Sequence, residues 1–124
     1  MAGNHSGSVT SVARYGCREV ERLERLGVLD QKWLLIHMNW VSPRELDLLR
    51  SRRAKVAHCP AAGLKGGWGT FSHGRFPEMI ERGVCVCLGT DSGPSGNFMD
   101  LTRAMYLAAC DQPDREFGPC CRRK

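Results

Sequence analysis

Apolar and polar positions along this chain fall into a repeating order in which a short apolar run ends at a polar residue and an amphipathic stretch follows. Residues 17–26 place Val20, Leu23 and Leu26 three apart among Arg and Glu, with Gly27 behind them, which predicts a helix with one buried face and a glycine stop. Trp33-Leu-Leu-Ile36 predicts a first strand ending at His37. Ser42-Pro43-Arg44-Glu45 then carries a helix-start signature: Ser caps a free amide, Pro suits the first helical position and Glu reaches back. Leu46 and Leu49 fall on one face of that helix. Lys55-Val56-Ala57 predicts a second strand, ending at His58-Cys59-Pro60. A glycine-rich stretch, Gly63-Leu-Lys-Gly-Gly-Trp-Gly69, is expected to be a loop, and a short helix follows from near Pro77 to Gly83. Val84 to Leu88 is apolar throughout, as a parallel strand covered on both faces should be, and ends in Gly89-Thr90-Asp91-Ser92. Asn97 is placed to cap a last helix carrying Leu101, Ala104, Met105 and Ala108.

The resulting order, αβαβαβα, belongs to the α/β class, with parallel strands joined by right-handed crossovers. In such sheets chemistry collects beyond the carboxyl ends of the strands, and here those ends carry His37, His58 and Asp91. Neighbouring strands would aim all three into one mouth. Residues 1–16 are expected to be a poorly ordered N-terminal segment, 17–110 the α/β segment, and 111–124 a basic, cysteine-containing tail.

Composition narrows the class. Charged residues at 25% and hydrophobic residues at 42% are near the globular average, which argues against a disordered or fibrous chain. No apolar run approaches the ~18 residues of a membrane span, so a cytoplasmic protein is expected. The net charge of +5 is partly concentrated in residues 44–55, where Arg44, Arg50, Arg52, Arg53 and Lys55 outnumber Glu45 and Asp47. That stretch has no interleaved aromatic residue, which argues against a nucleic-acid footprint. Of seven cysteines, Cys59, Cys85, Cys87 and Cys110 have apolar neighbours and read as small buried hydrophobes of a reducing compartment. No Cys-x-x-Cys pair suggests a structural zinc site. Cys120 and Cys121 read as free thiols.

Imidazole and carboxylate together are the ligands of hydrolytic Zn²⁺ or Fe²⁺ sites, which make water a nucleophile at neutral pH. Asp91 is the candidate metal ligand and proton carrier, and His37 the group that orients water or substrate and a candidate ligand. Two protein ligands fall short of the usual three. The glycine-rich stretch lacks the Gly-Lys-Ser/Thr ending of a phosphate loop. His73 lies in a polar loop, exposed.

Three segments together resemble a known family: Leu34-Leu-Ile-His-Met-Asn-Trp, Val56-Ala-His-Cys-Pro, and Phe76-Pro-Glu-Met-Ile-Glu-Arg-Gly-Val-Cys-Val-Cys-Leu-Gly-Thr-Asp-Ser. They resemble the C-terminal half of the amidohydrolase superfamily barrel, in its metal-dependent aminohydrolase and chlorohydrolase branch. The resemblance covers about residues 15–110 and implies a partial (β/α)8 TIM barrel of about three β/α units, strands six to eight. It places His37 at the histidine after the sixth strand, which contacts water, substrate or a metal, and Asp91 at the aspartate after the eighth, a metal ligand and general base. His58 matches the motif after the seventh strand, and Lys65, Trp68 and Ser92 become candidate substrate-side residues beside it. The family's paired His-x-His is absent, and its fifth-strand histidine has only His5 as a candidate, with no apolar strand before it.

The implied chemistry is hydrolysis of a carbon–nitrogen or carbon–chlorine bond on a purine, pyrimidine or triazine ring, with Zn²⁺ or Fe²⁺. The chain alone is expected to be nearly inactive, since most of the metal shell is missing, and to depend on oligomerisation or a complementing chain. The alternative from another class is a non-enzymatic α/β module or truncated product that binds a partner or nucleic acid through the Arg44 to Lys55 face.

Overall fold

A computed structural model describes residues 5–116, with side chains through residue 110. Three parallel strands, β1 (Leu34–Ile36), β2 (Lys55–His58) and β3 (Cys85–Leu88), lie side by side in chain order. Leu35 pairs with Val56 and Val56 with Val86, so the three runs read from the sequence sit in one register.

Helices α1 (His5–Tyr15), α2 (Glu19–Arg25) and α3 (Pro43–Ser51) precede β2; α4 (Pro60–Lys65), α5 (Thr70–His73) and α6 (Phe76–Glu81) precede β3; α7 (Gly93–Gly96) and α8 (Leu101–Glu116) follow it. The start signature of α3 is present in both directions: the Glu45 amide donates to Ser42 Oγ at 3.2 Å, and the Ser42 amide to Glu45 Oε2 at 2.9 Å. Leu46 and Leu49 are fully buried, packed with Val20 of α2, Leu35 of β1, Val56 of β2 and Met79 of α6. This core lies between the sheet and the helices and fixes the strand ends.

Glu45 does more than cap its own helix. Its carboxylate, with no solvent exposure, also accepts from the Val20 amide at 3.1 Å and from Arg18 Nε at 2.6 Å. Arg18 Nη2 in turn donates to the Trp40 carbonyl. One side chain thus satisfies amides at the starts of two helices and ties both to the loop after β1.

Several expectations need correction. Residues His5–Tyr15 form a helix where a poorly ordered segment was expected; it is held by Ser11 Oγ donating to the Cys17 carbonyl at 2.9 Å and Ser8 Oγ to Glu19 Oε2 at 3.1 Å. Gly63 is not in a loop but inside α4, where it packs so closely on Thr70 that a Cβ would lie 1.8 Å from Thr70 Oγ1. Asn97 does not cap α8: at φ +63 it closes α7, and Asp100 caps α8 by accepting from the Thr102 amide at 2.8 Å. Cys85, Cys87 and Cys110 are exposed, while Cys59 is buried. The reason for the first two is that one sheet face is uncovered among the described residues, leaving Leu34 and Ile36 exposed as well. The expected tail lies mostly outside the described residues, Cys120 and Cys121 included. No helix among the described residues is long and apolar enough to cross a membrane.

Candidate active site

The strand ends bring the candidate residues His37 and Asp91 together. The His37 amide donates to the Ala57 carbonyl at 3.0 Å, extending the β1–β2 ladder by one residue. The chain then turns sharply, with the Met38 amide donating to the Ile36 carbonyl at 3.1 Å and φ at +74 for His37 and +48 for Met38. Left-handed backbone at non-glycine residues costs about 1–3 kcal/mol each and gathers at functional sites. Asp91, after β3, has φ +61 as well. The buried Met38 anchors the first of these turns.

Across the end of β2, His37 Nε2 and Asp91 Oδ2 approach to 3.5 Å, with both side chains about a quarter exposed or less. That gap exceeds a direct hydrogen bond of about 2.7–3.2 Å, so the two groups face one another with room to address a shared atom. Asp91 Oδ1 is occupied by the Ser92 amide at 2.7 Å, which fixes the carboxylate's orientation. Burial holds the His37 imidazole below the ordinary histidine range, opposed by the Asp91 charge. His37 Nδ1 is buried without a hydrogen-bond partner among the described residues.

Aromatic rings wall one side. Trp68 meets His37 edge-on at 4.8 Å between ring centroids. Trp40 holds Trp68 in place by donating from Nε1 to its carbonyl at 2.7 Å, and stacks on His73 at 4.2 Å. His5 packs against the other side of this group, 4.9 Å from Trp40. Trp40 was missed from the sequence; its only signal was an aromatic three residues beyond a strand-end histidine.

The expectation that His58 joins His37 and Asp91 in one mouth needs correction, because alternate residues of β2 face opposite sides of the sheet and His58 lies on the helix-covered side. His58 is buried and stacks on Phe76 at 3.7 Å, lining a cavity of about 330 Å³ with Val86, Leu88 and Met105. Lys65 is engaged elsewhere: its ammonium donates to the Pro94 carbonyl at 2.5 Å and to Asn97 Oδ1 at 2.7 Å, pinning α4 to α7. Ser92 is exposed, and its Oγ lies 2.8 Å from Ser95 Oγ. Cys59 sits directly behind Asp91, where burial first and the Asp91 charge second push its thiol up.

The donor types at His37 and Asp91 suit a borderline divalent ion such as Zn²⁺. No group of three or more His, Cys, Asp or Glu converges for a metal among the described residues. The pair therefore fits as part of a ligand set.

Residues 2–118 match the amidohydrolase family. The chain belongs to that family. It is 37% identical over 106 residues to a 5-methylthioadenosine/S-adenosylhomocysteine deaminase of Pyrococcus furiosus, covering 86% of this chain and 25% of the relative. It is 41% identical over 95 residues to a 5'-deoxyadenosine deaminase of Methanothrix thermoacetophila, covering 75% of this chain and 22% of that protein. Among solved structures, an adenosine deaminase from Xanthomonas campestris with bound zinc superposes with a TM-score of 0.86 at 28% identity, over 94% of this chain and 26% of that one. The atrazine chlorohydrolase of Arthrobacter aurescens, at 23% identity and TM-score 0.76 over 91% of this chain and 25% of its own, shares the fold. The chain spans about a quarter of the length of the relatives it matches. In this amidohydrolase segment, His37 and Asp91 are the strand-end groups that the fold brings together.

Proposed function

We propose that this chain forms strands six to eight of a (β/α)8 barrel whose activity is metal-dependent hydrolysis of a C–N bond on a heterocyclic ring, an aminopurine nucleoside being the favoured substrate class. The approach of His37 to Asp91 across β2 carries the reading, supported by relatives that are deaminases of adenosine derivatives. The uncovered sheet face bearing Leu34, Ile36, Cys85 and Cys87 is then the inward face of the barrel, to be packed by the remaining β/α units, in another chain or another part of the same protein. Free thiols at five described cysteines suit a reducing cytoplasm.

His37 and Asp91 would hold part of the ligand set for Zn²⁺ or Fe²⁺, which when bound supplies Lewis-acid charge that eases deprotonation of water. Asp91 accepts the proton of the attacking water as its oxygen adds to the ring carbon, and delivers that proton to the departing amine as the C–N bond breaks and ammonia leaves. The Ser92 amide on Oδ1 leaves Oδ2 free for this transfer. His37, shifted toward its neutral form by burial, offers at Nε2 the lone pair that a metal ligand needs. Trp68 presents an apolar surface against which a flat ring can lie, and Ser92, exposed beside Asp91, is the substrate-side polar residue.

The experiment is to graft residues 15–110 in place of the matching quarter of the Pyrococcus furiosus relative and measure ammonia release from 5-methylthioadenosine. Turnover by the graft is expected, with the 124-residue chain alone nearly inactive. A folded, zinc-loaded graft without turnover would overturn the reading.

A further inference from the structure

At the opposite end of the sheet from His37 and Asp91, the starts of the strands enclose a cleft of about 530 Å³, lined by Lys32, Arg50, Arg53 and Lys55 together with Gly83 and Cys85. Its cations come from three separate places in the chain: the loop before β1, the last turn and exit of α3, and the first residue of β2. No Asp or Glu is among its lining residues.

The neighbouring arginines behave differently. Arg44 is 3.5 Å from Glu21, Arg52 2.5 Å from Glu24, and Arg82 2.9 Å from Asp47. These pairs neutralise the outer flank of α3. Arg50, Arg53 and Lys32 have no carboxylate within ion-pair distance among the described residues, and Lys55 Nζ touches only a neutral acceptor, the Gln31 carbonyl, at 3.0 Å. Among the described residues, the basic stretch seen in the sequence is thus sorted by the fold into a neutralised face and an uncompensated cleft.

Arg53 sharpens the point. The Arg53 amide donates to Arg50 and the Ala54 amide to Leu49, which closes α3 with a turn whose left-handed residue is ordinarily glycine, yet here is Arg53 at φ +56. Helix-end carbonyls attract a cation, but one or two would serve that purpose, whereas four converge here.

We propose that this cleft binds a small polyanion carrying two or more phosphate groups. Four exposed positive charges around a recess of this size match a diphosphate or triphosphate group better than a single-charge anion. The lining holds no aromatic ring on which a base could stack, and its span suits a compact ligand rather than a nucleic-acid backbone.

The test is titration of the full chain with inorganic pyrophosphate and tripolyphosphate, by calorimetry and ³¹P NMR, at two NaCl concentrations. Saturable one-to-one binding that weakens with salt is expected, falling about tenfold per cation removed in the Arg50→Gln/Arg53→Gly variant. Glycine at position 53 suits the left-handed backbone, so this variant keeps its fold, checked by its thermal transition. Arg44→Gln, on the neutralised face, should bind as the parent does. Absence of saturable binding, or equal binding by the double variant, overturns the proposal. So does tight binding of a single-stranded oligonucleotide that pyrophosphate fails to displace.

Discussion

His37 Nε2 stands 3.5 Å from Asp91 Oδ2 although the two residues are 54 apart in sequence and belong to strands that are not neighbours. Parallel pairing of both strands with β2 sets that approach, and a left-handed residue at each strand end aims the side chain. Because Asn tolerates left-handed backbone better than most residues, Asn is the substitution that removes the chemistry of either position while keeping its conformation.

Zinc should bind the isolated chain weakly, through His37 and Asp91 together. Competition against a chromophoric chelator is expected to show an affinity that dialysis defeats, and that His37→Asn and Asp91→Asn each abolish. Zinc retained through dialysis by both variants would place the metal elsewhere.

Glu45→Ala should be among the most damaging single changes. It removes a buried carboxylate that serves two helix starts and leaves Arg18 Nε and the Val20 and Ser42 amides without their acceptor. Leaving buried donors without their acceptor costs about 1–3 kcal/mol each, readable as the loss of unfolding free energy in a urea titration. A change within about 0.5 kcal/mol, the range of ordinary surface substitutions, would contradict the role given to Glu45.

Gly63→Ala should destabilise the chain by roughly 1–3 kcal/mol, the usual cost of overpacking, because the new Cβ would fall on Thr70 Oγ1. Thr70→Ala in the same chain should restore part of that loss. A thermal double-mutant cycle measures it, and strict additivity of the two changes would show that the contact is not the cause.

Cys59 should resist alkylation at pH 8 while Cys85, Cys87 and Cys110 react, since burial and Asp91 keep its thiol protonated. Its folded-state pKa is raised above the ordinary 9.0, so the folded state holds the proton more tightly. The associated stability is fully present below pH 9.0 and is lost as pH climbs through the folded value. Cys59→Ser should flatten that alkaline decline in melting temperature; an unchanged slope would assign it to other groups.

Local grammar made much of the fold legible. Ser42, Pro43 and Glu45 announced α3, and apolar runs ending at His37, His58 and Asp91 located all three strands. What the sequence hid were long-range effects. Gly63 looks like a loop residue until Thr70 is seen to need the space, and Cys85 and Cys87 look buried until the sheet proves uncovered on one face. Asn97 and Asp100 are both good helix caps, and only the turn at φ +63 decides between them. The convergence of His37 and Asp91 was readable from their strand-end positions. Trp40 was not, because its place follows from the hydrogen bond to Trp68, 28 residues away. The convergence of Lys32 on the cations of α3 was equally invisible along the chain.

The proposed role of Asp91 as proton carrier in ring deamination is decided by the rate of ammonia release from 5-methylthioadenosine by the graft of residues 15–110, with and without Asp91→Asn. The variant graft is expected to be slower by about 10²–10⁴-fold, the usual contribution of a positioned acid–base group, at unchanged thermal stability. An Asp91→Asn graft that releases ammonia at the parent rate would contradict that role.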